Sequence, residues 1–295
     1  MKEPFLRHAS QRTSPSGMND REETRALLRG GRGALASFLM SLALAAGAWS
    51  LMIGGHELIG HGGAQFLLGG ELYYIDAMYF DGSKLPGFGT HLQRAGGSIF
   101  NVLLGFACAW WLFRREPRAP WLRYFLWVSV LYNLFQSGCY IAFGWAIHPG
   151  MDWAILSSLV EPIWAGRALV MAVGGIIIAA ALVLTYKGMR RLLRPDLPIR
   201  GQKARLLVGA WLTSGLVSIP ASLLVPSDDR MMMLLGGIGN SLIFMAWSCV
   251  LMLVPGPEPQ ASAADRLLLR WPVFVVSLTV ALLYVFVLGP GIDLR

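Results

Sequence analysis

Charge is what this chain has least of. Only 14% of its 295 residues are Asp, Glu, Lys or Arg, where a soluble domain carries about a quarter. With 55% hydrophobic residues and a mean hydropathy of +0.53, that scarcity excludes an ordinary water-soluble fold. Cysteine is scarce as well. Cys108, Cys139 and Cys249 all fall inside apolar runs and none has metal-ligand spacing, so neither a disulfide framework nor a thiolate metal site is expected. The apolar runs are continuous and do not alternate, which excludes a transmembrane barrel.

Seven such runs are present, at roughly 34–55, 94–113, 121–146, 165–187, 204–225, 231–254 and 270–289. Each can supply the ~20 apolar residues that one bilayer crossing needs. The expectation is an all-α polytopic membrane protein of about seven transmembrane helices. Residues 1–33 mix Ser, Pro, Arg and Glu and read as a disordered tail. A net charge of +8 suggests nucleic acid at first, but the basic residues gather at the ends of the apolar runs. The tail has Arg7, Arg21 and Arg32, the second connection Arg114, Arg115 and Arg118, and the fourth Lys187, Arg190 and Arg194. The positive-inside rule then places the N-terminus in the cytoplasm and the C-terminus outside. No nucleic-acid partner is expected, and the compact loops suggest a bacterial inner membrane.

The rare polar groups meet on the other side. "GGHELIGHGG", residues 54–63, puts His56, Glu57 and His61 at the outer end of the first run. The next connection, residues 70–93, alternates Leu72, Tyr74 and Asp76 with Tyr73 and Ile75, then shows the turn signal Asp81-Gly82. It reads as a small β-hairpin ending near His91. The second outer connection supplies His148, Asp152 and Glu161. Ionisable groups at membrane depth are costly and are functional candidates by default.

The histidine spacing leaves three geometries open. On a regular α-helix, residues five apart differ by ~140° and cannot grip one ion, and Glu57 with His61 would share the face. A π-bulge adds one residue to a turn and would bring both histidines together with Glu57 beside them. Helix termination near Gly60 would leave His61 on a turn.

With these residues in place, the chain resembles the site-2 protease family of intramembrane zinc metalloproteases. "HELIGH" looks like the family's zinc helix, and "RAGGSIFNVLLG", with Gly96, Gly97 and Asn101, like its small-residue helix. "GMDWAIL", residues 150–156, looks like the Asp motif of its compact members. The resemblance spans about residues 40–160. It departs from the family in the five-residue histidine spacing, in Gly-Gly for Gly-Pro, and in lacking Leu-Asp-Gly. It implies a metallopeptidase-like core over 34–163 and accessory helices over 164–295. It also implies zinc (Zn2+) held by His56, His61 and Asp152, with Glu57 as general base, Asn101 as an oxyanion donor, and a transmembrane protein or peptide as substrate. His91 and His148 are alternative third ligands, and a buried interhelical hydrogen bond is the alternative role for Asn101. Asn133, Gln136 and Tyr140 make the third helix polar and either orient ligands, bind substrate or join helices.

Three other classes compete. A catalytically inactive relative would bind transmembrane partners without cleaving them. A di-iron desaturase-like enzyme would need more histidines than the four available here. A transporter would show repeats and midplane polar sites, and none stands out.

Overall fold

Lipid offers no hydrogen bonds, so a continuous apolar run must satisfy its backbone within itself and becomes a helix. The computed structural model describes residues 20–147, 151–227, 230–261 and 267–295, with side chains from 33 onward apart from Met232. The chain is an all-α multi-pass membrane protein. Among the described residues seven helical segments are long and apolar enough to cross a bilayer, at 33–67, 89–114, 120–147, 163–189, 199–224, 233–253 and 271–288. They coincide with the seven expected runs.

The elements run α1 (Asp20–Gly55), a first π-segment (His56–Gly62), α2 (Gly63–Leu67), β1 (Leu72–Ile75), β2 (Phe80–Gly82), α3 (Gly89–Arg114) and α4 (Pro120–Ile147). There follow α5 (Asp152–Ser157), α6 (Ile163–Met189), α7 (Ile199–Leu224), α8 (Arg230–Leu253), α9 (Trp271–Leu283), a second π-segment (Tyr284–Leu288) and β3 (Ile292–Asp293). The helix begins at Asp20, so the stretch predicted to stay disordered up to residue 33 is helical over its second part. "DREETRALLRG" is rich in strong helix formers, which explains the early start. The expected tail over 1–19 lies outside the described residues.

The third span of that bundle, α4, is its axis. It is 83% buried along its apolar window, against 28% for α6 and 22% for α8. Its large side chains make the inter-helix joints. Trp49 of α1, Tyr132 of α4 and Phe244 of α8 meet edge to face, with centroids 5.1–5.2 Å apart. Tyr132 also donates its hydroxyl to the Ala210 carbonyl of α7 at 2.7 Å. Trp127 donates its indole N–H to the Thr185 carbonyl of α6 at 3.0 Å. In Tyr132 and Trp127 the ring fills volume while the polar tip finds a carbonyl, which avoids the cost of an orphaned donor in an apolar interior.

The hairpin forms, but its turn is not at Asp81-Gly82. Those residues belong to β2, and the chain reverses at Asp76–Tyr79. Asp76 makes that turn: its Oδ1 accepts the backbone N–H groups of Met78 and Tyr79 at 2.6 and 2.7 Å. Burial pushes the Asp76 carboxyl above its ordinary pKa, partly offset by those two bonds. A third strand, unforeseen in the sequence, joins from the far end of the chain. β3 pairs antiparallel with β1, Ile75 opposite Ile292, giving the order β2-β1-β3. The C-terminal residues thus share one end of the bundle with the hairpin.

Candidate metal centre

The first helix does not end at residue 55. It continues through the π-segment His56–Gly62, where the Gly63 N–H reaches the Leu58 carbonyl five residues back. Of the three geometries open in the sequence, the π-bulge is the one adopted. Its cause lies in the neighbouring helix. Gly60 of the π-segment sits against the backbone of Gly96 and Gly97 in α3, and a Cβ at any of these three positions would overlap the facing chain or side chain. At Gly97 the overlap would be with the His56 imidazole. Small residues let two backbones touch, and the widened turn uses that room.

The widened turn brings together the two histidines five apart. His56 Nε2 and His61 Nε2 lie 3.2 Å apart. Two ligands held at 2.0–2.1 Å on a tetrahedral ion stand about 3.3 Å apart, so this spacing fits one shared metal. Glu57 completes a group whose ligating atoms all lie within 4.8 Å of one another. Glu57 and His61 are buried and His56 is partly buried. Three donors of N and O type in this arrangement could hold a metal ion.

Each ring is oriented from behind. His61 Nδ1 is 2.9 Å from the Gln93 carbonyl, which can only accept, so the proton sits on Nδ1 and the Nε2 lone pair points at His56. His56 Nδ1 is 3.1 Å from the Asn101 amide, whose Nδ2 faces the ring while Oδ1 is buried without a partner. Turning that amide by half a revolution would set Oδ1 to accept from Nδ1–H, the tautomer in which His56 Nε2 can bind a metal. Asn101 thus makes a buried hydrogen bond from α3 to the π-segment and orients the His56 ring.

Asp152 reaches the group from α5, its Oδ2 lying 3.7 Å from His61 Nε2. It is pinned on both oxygens. Tyr140 donates to Oδ2 at 3.1 Å and Arg94 to Oδ1 at 3.3 Å. The adjacent Trp153 donates its indole N–H to Ser98 at 2.9 Å, tying α5 to α3. Glu57 has no hydrogen bond or ion pair among the described residues. The two carboxylates are thus unlike: one is held by two donors, the other is buried and unheld.

The other described candidates do not join. Glu161 is exposed. His91 stacks near Phe88, centroids 6.0 Å apart, with its Nδ1 buried and unpaired. His148 lies outside the described residues. Of the polar trio on α4, Asn133 returns to the Ser129 carbonyl and Gln136 donates to Asn240 of α8, and only Tyr140 touches the centre. Sequence reasoning missed Arg94 and the Gln93 carbonyl. Arg94 had a readable signal, since it is an arginine on the side of the membrane otherwise poor in positive charge.

Comparison with protein-family models, with curated proteins and with solved structures finds no match to this chain.

Proposed function

We propose that the protein is an intramembrane zinc metalloprotease that hydrolyses peptide bonds in or near transmembrane segments. The observation that carries this reading is the 3.2 Å approach of two imidazole Nε2 atoms across a π-segment, with one held and one unheld carboxylate beside them. His56, His61 and Asp152 would hold the ion. Zinc in such a site supplies Lewis acidity and brings the pKa of a water to near neutrality.

The chain's own groups divide the remaining work. Asp152 is the ligand because its oxygens are fixed by Tyr140 and Arg94, and ligands need that orientation. Glu57 is the general base because nothing restrains its carboxylate. It can take a proton from the attacking water and return it to the leaving amine. Asn101 and the Gln93 carbonyl position the imidazoles. The outward face of the π-segment and α2, with Leu58, Ile59, Phe66 and Leu67 exposed, is apolar, so a transmembrane substrate can approach from the lipid. The same reading keeps the N-terminus cytoplasmic and the centre on the outer side of a bacterial inner membrane, following the basic residues.

A second reading, a non-cleaving scaffold for transmembrane partners, draws on one observation: Arg94 already neutralises Asp152. One substitution separates the two. Purified wild-type protein should carry about one zinc per chain. Glu57→Gln should keep that metal and lose cleavage of a transmembrane substrate, because an amide cannot accept the proton. Protein that binds zinc yet cleaves no candidate substrate supports the scaffold, and loss of zinc in Glu57→Gln would make Glu57 a ligand.

A further inference from the structure

A second feature sits on the same end of the bundle, behind α5. A cavity of about 270 Å³ opens where the ends of α4, α5 and α6 meet, lined among others by Trp145, Ile147, Ile155, Ser157, Ile163 and Arg167. Arg167 is the unusual member. It lies one turn into α6, the most hydropathic of the seven spans, and no other charged residue precedes Lys187 in that helix.

Among the described residues its charge is not answered. The guanidinium carbon lies 4.9 Å over the Trp145 ring. Its Nε is buried without a hydrogen-bond partner. Among the described residues no carboxylate pairs with it, and Glu161, the nearest acidic residue along the chain, is exposed. The cation–π contact offsets part of the cost of a cation at membrane depth. It leaves the guanidinium fork, built for the bidentate grip of an oxyanion, unused. Ile147 and Ile163 give the cavity exposed apolar walls, 61% and 43% exposed, and Trp164, the residue after Ile163, is 69% exposed. A soluble anion would satisfy the arginine and gain nothing from those walls. An amphiphile would satisfy both, and Trp164 is the residue type that sits at headgroup level.

We propose that this cavity binds the phosphate of an anionic phospholipid through Arg167, with its acyl chains lying along Ile147 and Ile163. The site is independent of whether the chain cleaves peptides. Its occupant nevertheless touches the helix that carries Asp152, since Ile155 and Ser157 line the cavity from the same short α5.

The test uses the full chain in detergent, titrated with phosphatidylglycerol, with phosphatidylcholine and with inorganic phosphate, reading bound lipid by native mass spectrometry and Tm by thermal unfolding. Wild type should retain phosphatidylglycerol over phosphatidylcholine by about tenfold, the scale of a charge-assisted bidentate contact. Arg167→Gln should bring the two lipids to parity, and Arg167→Lys should keep part of the preference. Ile155→Trp retains the charge and fills the cavity from its wall, so it should show the same loss if Arg167→Gln fails to fold. Equal retention of both lipids by wild type, or an unchanged preference in the variants, overturns the proposal. A full Tm rise with inorganic phosphate alone would assign the cavity to a soluble anion and overturn the lipid.

Discussion

The described residues make two π-segments, and these are neighbours. Gly54, just before the first, faces Leu288, which ends the second. Both contain a backbone bond spanning five residues: Gly63 to Leu58 in the first and Gly289 to Tyr284 in the second. The first presents His56, Glu57 and His61 against a glycine floor in α3. The second reads Tyr-Val-Phe-Val-Leu, and its one polar side-chain group, the Tyr284 hydroxyl, reaches the Ala77 carbonyl at 3.4 Å. The same backbone device thus serves two ends. A widened turn is not itself a site; it aligns residues five apart, and the chemistry depends on what the sequence puts there. The first turn aligns two imidazoles. The second aligns a tyrosine and a glycine, and its place in the fold is to carry the chain from α9 into β3.

That contrast can be broken most severely at a ligand. His61→Ala should lose nearly all bound metal, because a site with one imidazole lacks the three protein ligands of a catalytic zinc centre. Deleting Phe286, which is exposed in the second π-segment, should lower Tm yet leave metal content at the wild-type level. Elemental analysis and a melting curve on both variants read the difference, and loss of metal in the second would mean that the two segments form one unit. A smaller effect is expected from the glycine floor. Gly97→Ala would push a methyl group into the His56 ring and should weaken zinc binding by tenfold or more, the scale seen when support behind a ligand is disturbed. Gly54→Ala meets only an ordinary van der Waals contact with Leu288 at 3.5 Å and should bind zinc as wild type does. Competition with a chromophoric chelator measures both. The smallest effect belongs to Tyr284→Phe, which removes one long hydrogen bond. It should cost no more than about 1 kcal/mol of stability and leave metal affinity unchanged.

The seven spans were legible because a bilayer crossing needs a local, continuous run of apolar residues, and local patterns survive in a linear sequence. The π-segment was legible as one of three answers to a spacing problem. Nothing in "HELIGH" alone selects it; the selection comes from Gly96 and Gly97 in another helix, a contact that one sequence does not display. The same holds for Gln93, whose contribution is a backbone carbonyl and so leaves no side-chain signature. The Asp152 motif is readable in the sequence, but the grip on Asp152 by Tyr140 and Arg94 joins α4 and α3 to α5 and is invisible along the chain. The hairpin turn was misplaced because Asp-Gly is a strong local signal, while Asp76 turns the chain by accepting two backbone N–H groups that only the fold presents to it.

The pairing of β1 with β3 sets an order of events. The hydrogen bond from Tyr74 to the Pro290 carbonyl closes a loop of 216 residues. During synthesis the hairpin emerges early, yet its inner strand keeps an open edge until the last span has crossed the membrane and delivered Ile292. An open strand edge is a template for pairing with the wrong chain. The short β1 and the carboxylate-locked turn at Asp76 limit that hazard while the partner is still being made. The histidine turn and its sheet therefore mature at different times. The turn needs only α3 beside it, whereas the sheet that flanks it waits for nearly the whole polypeptide.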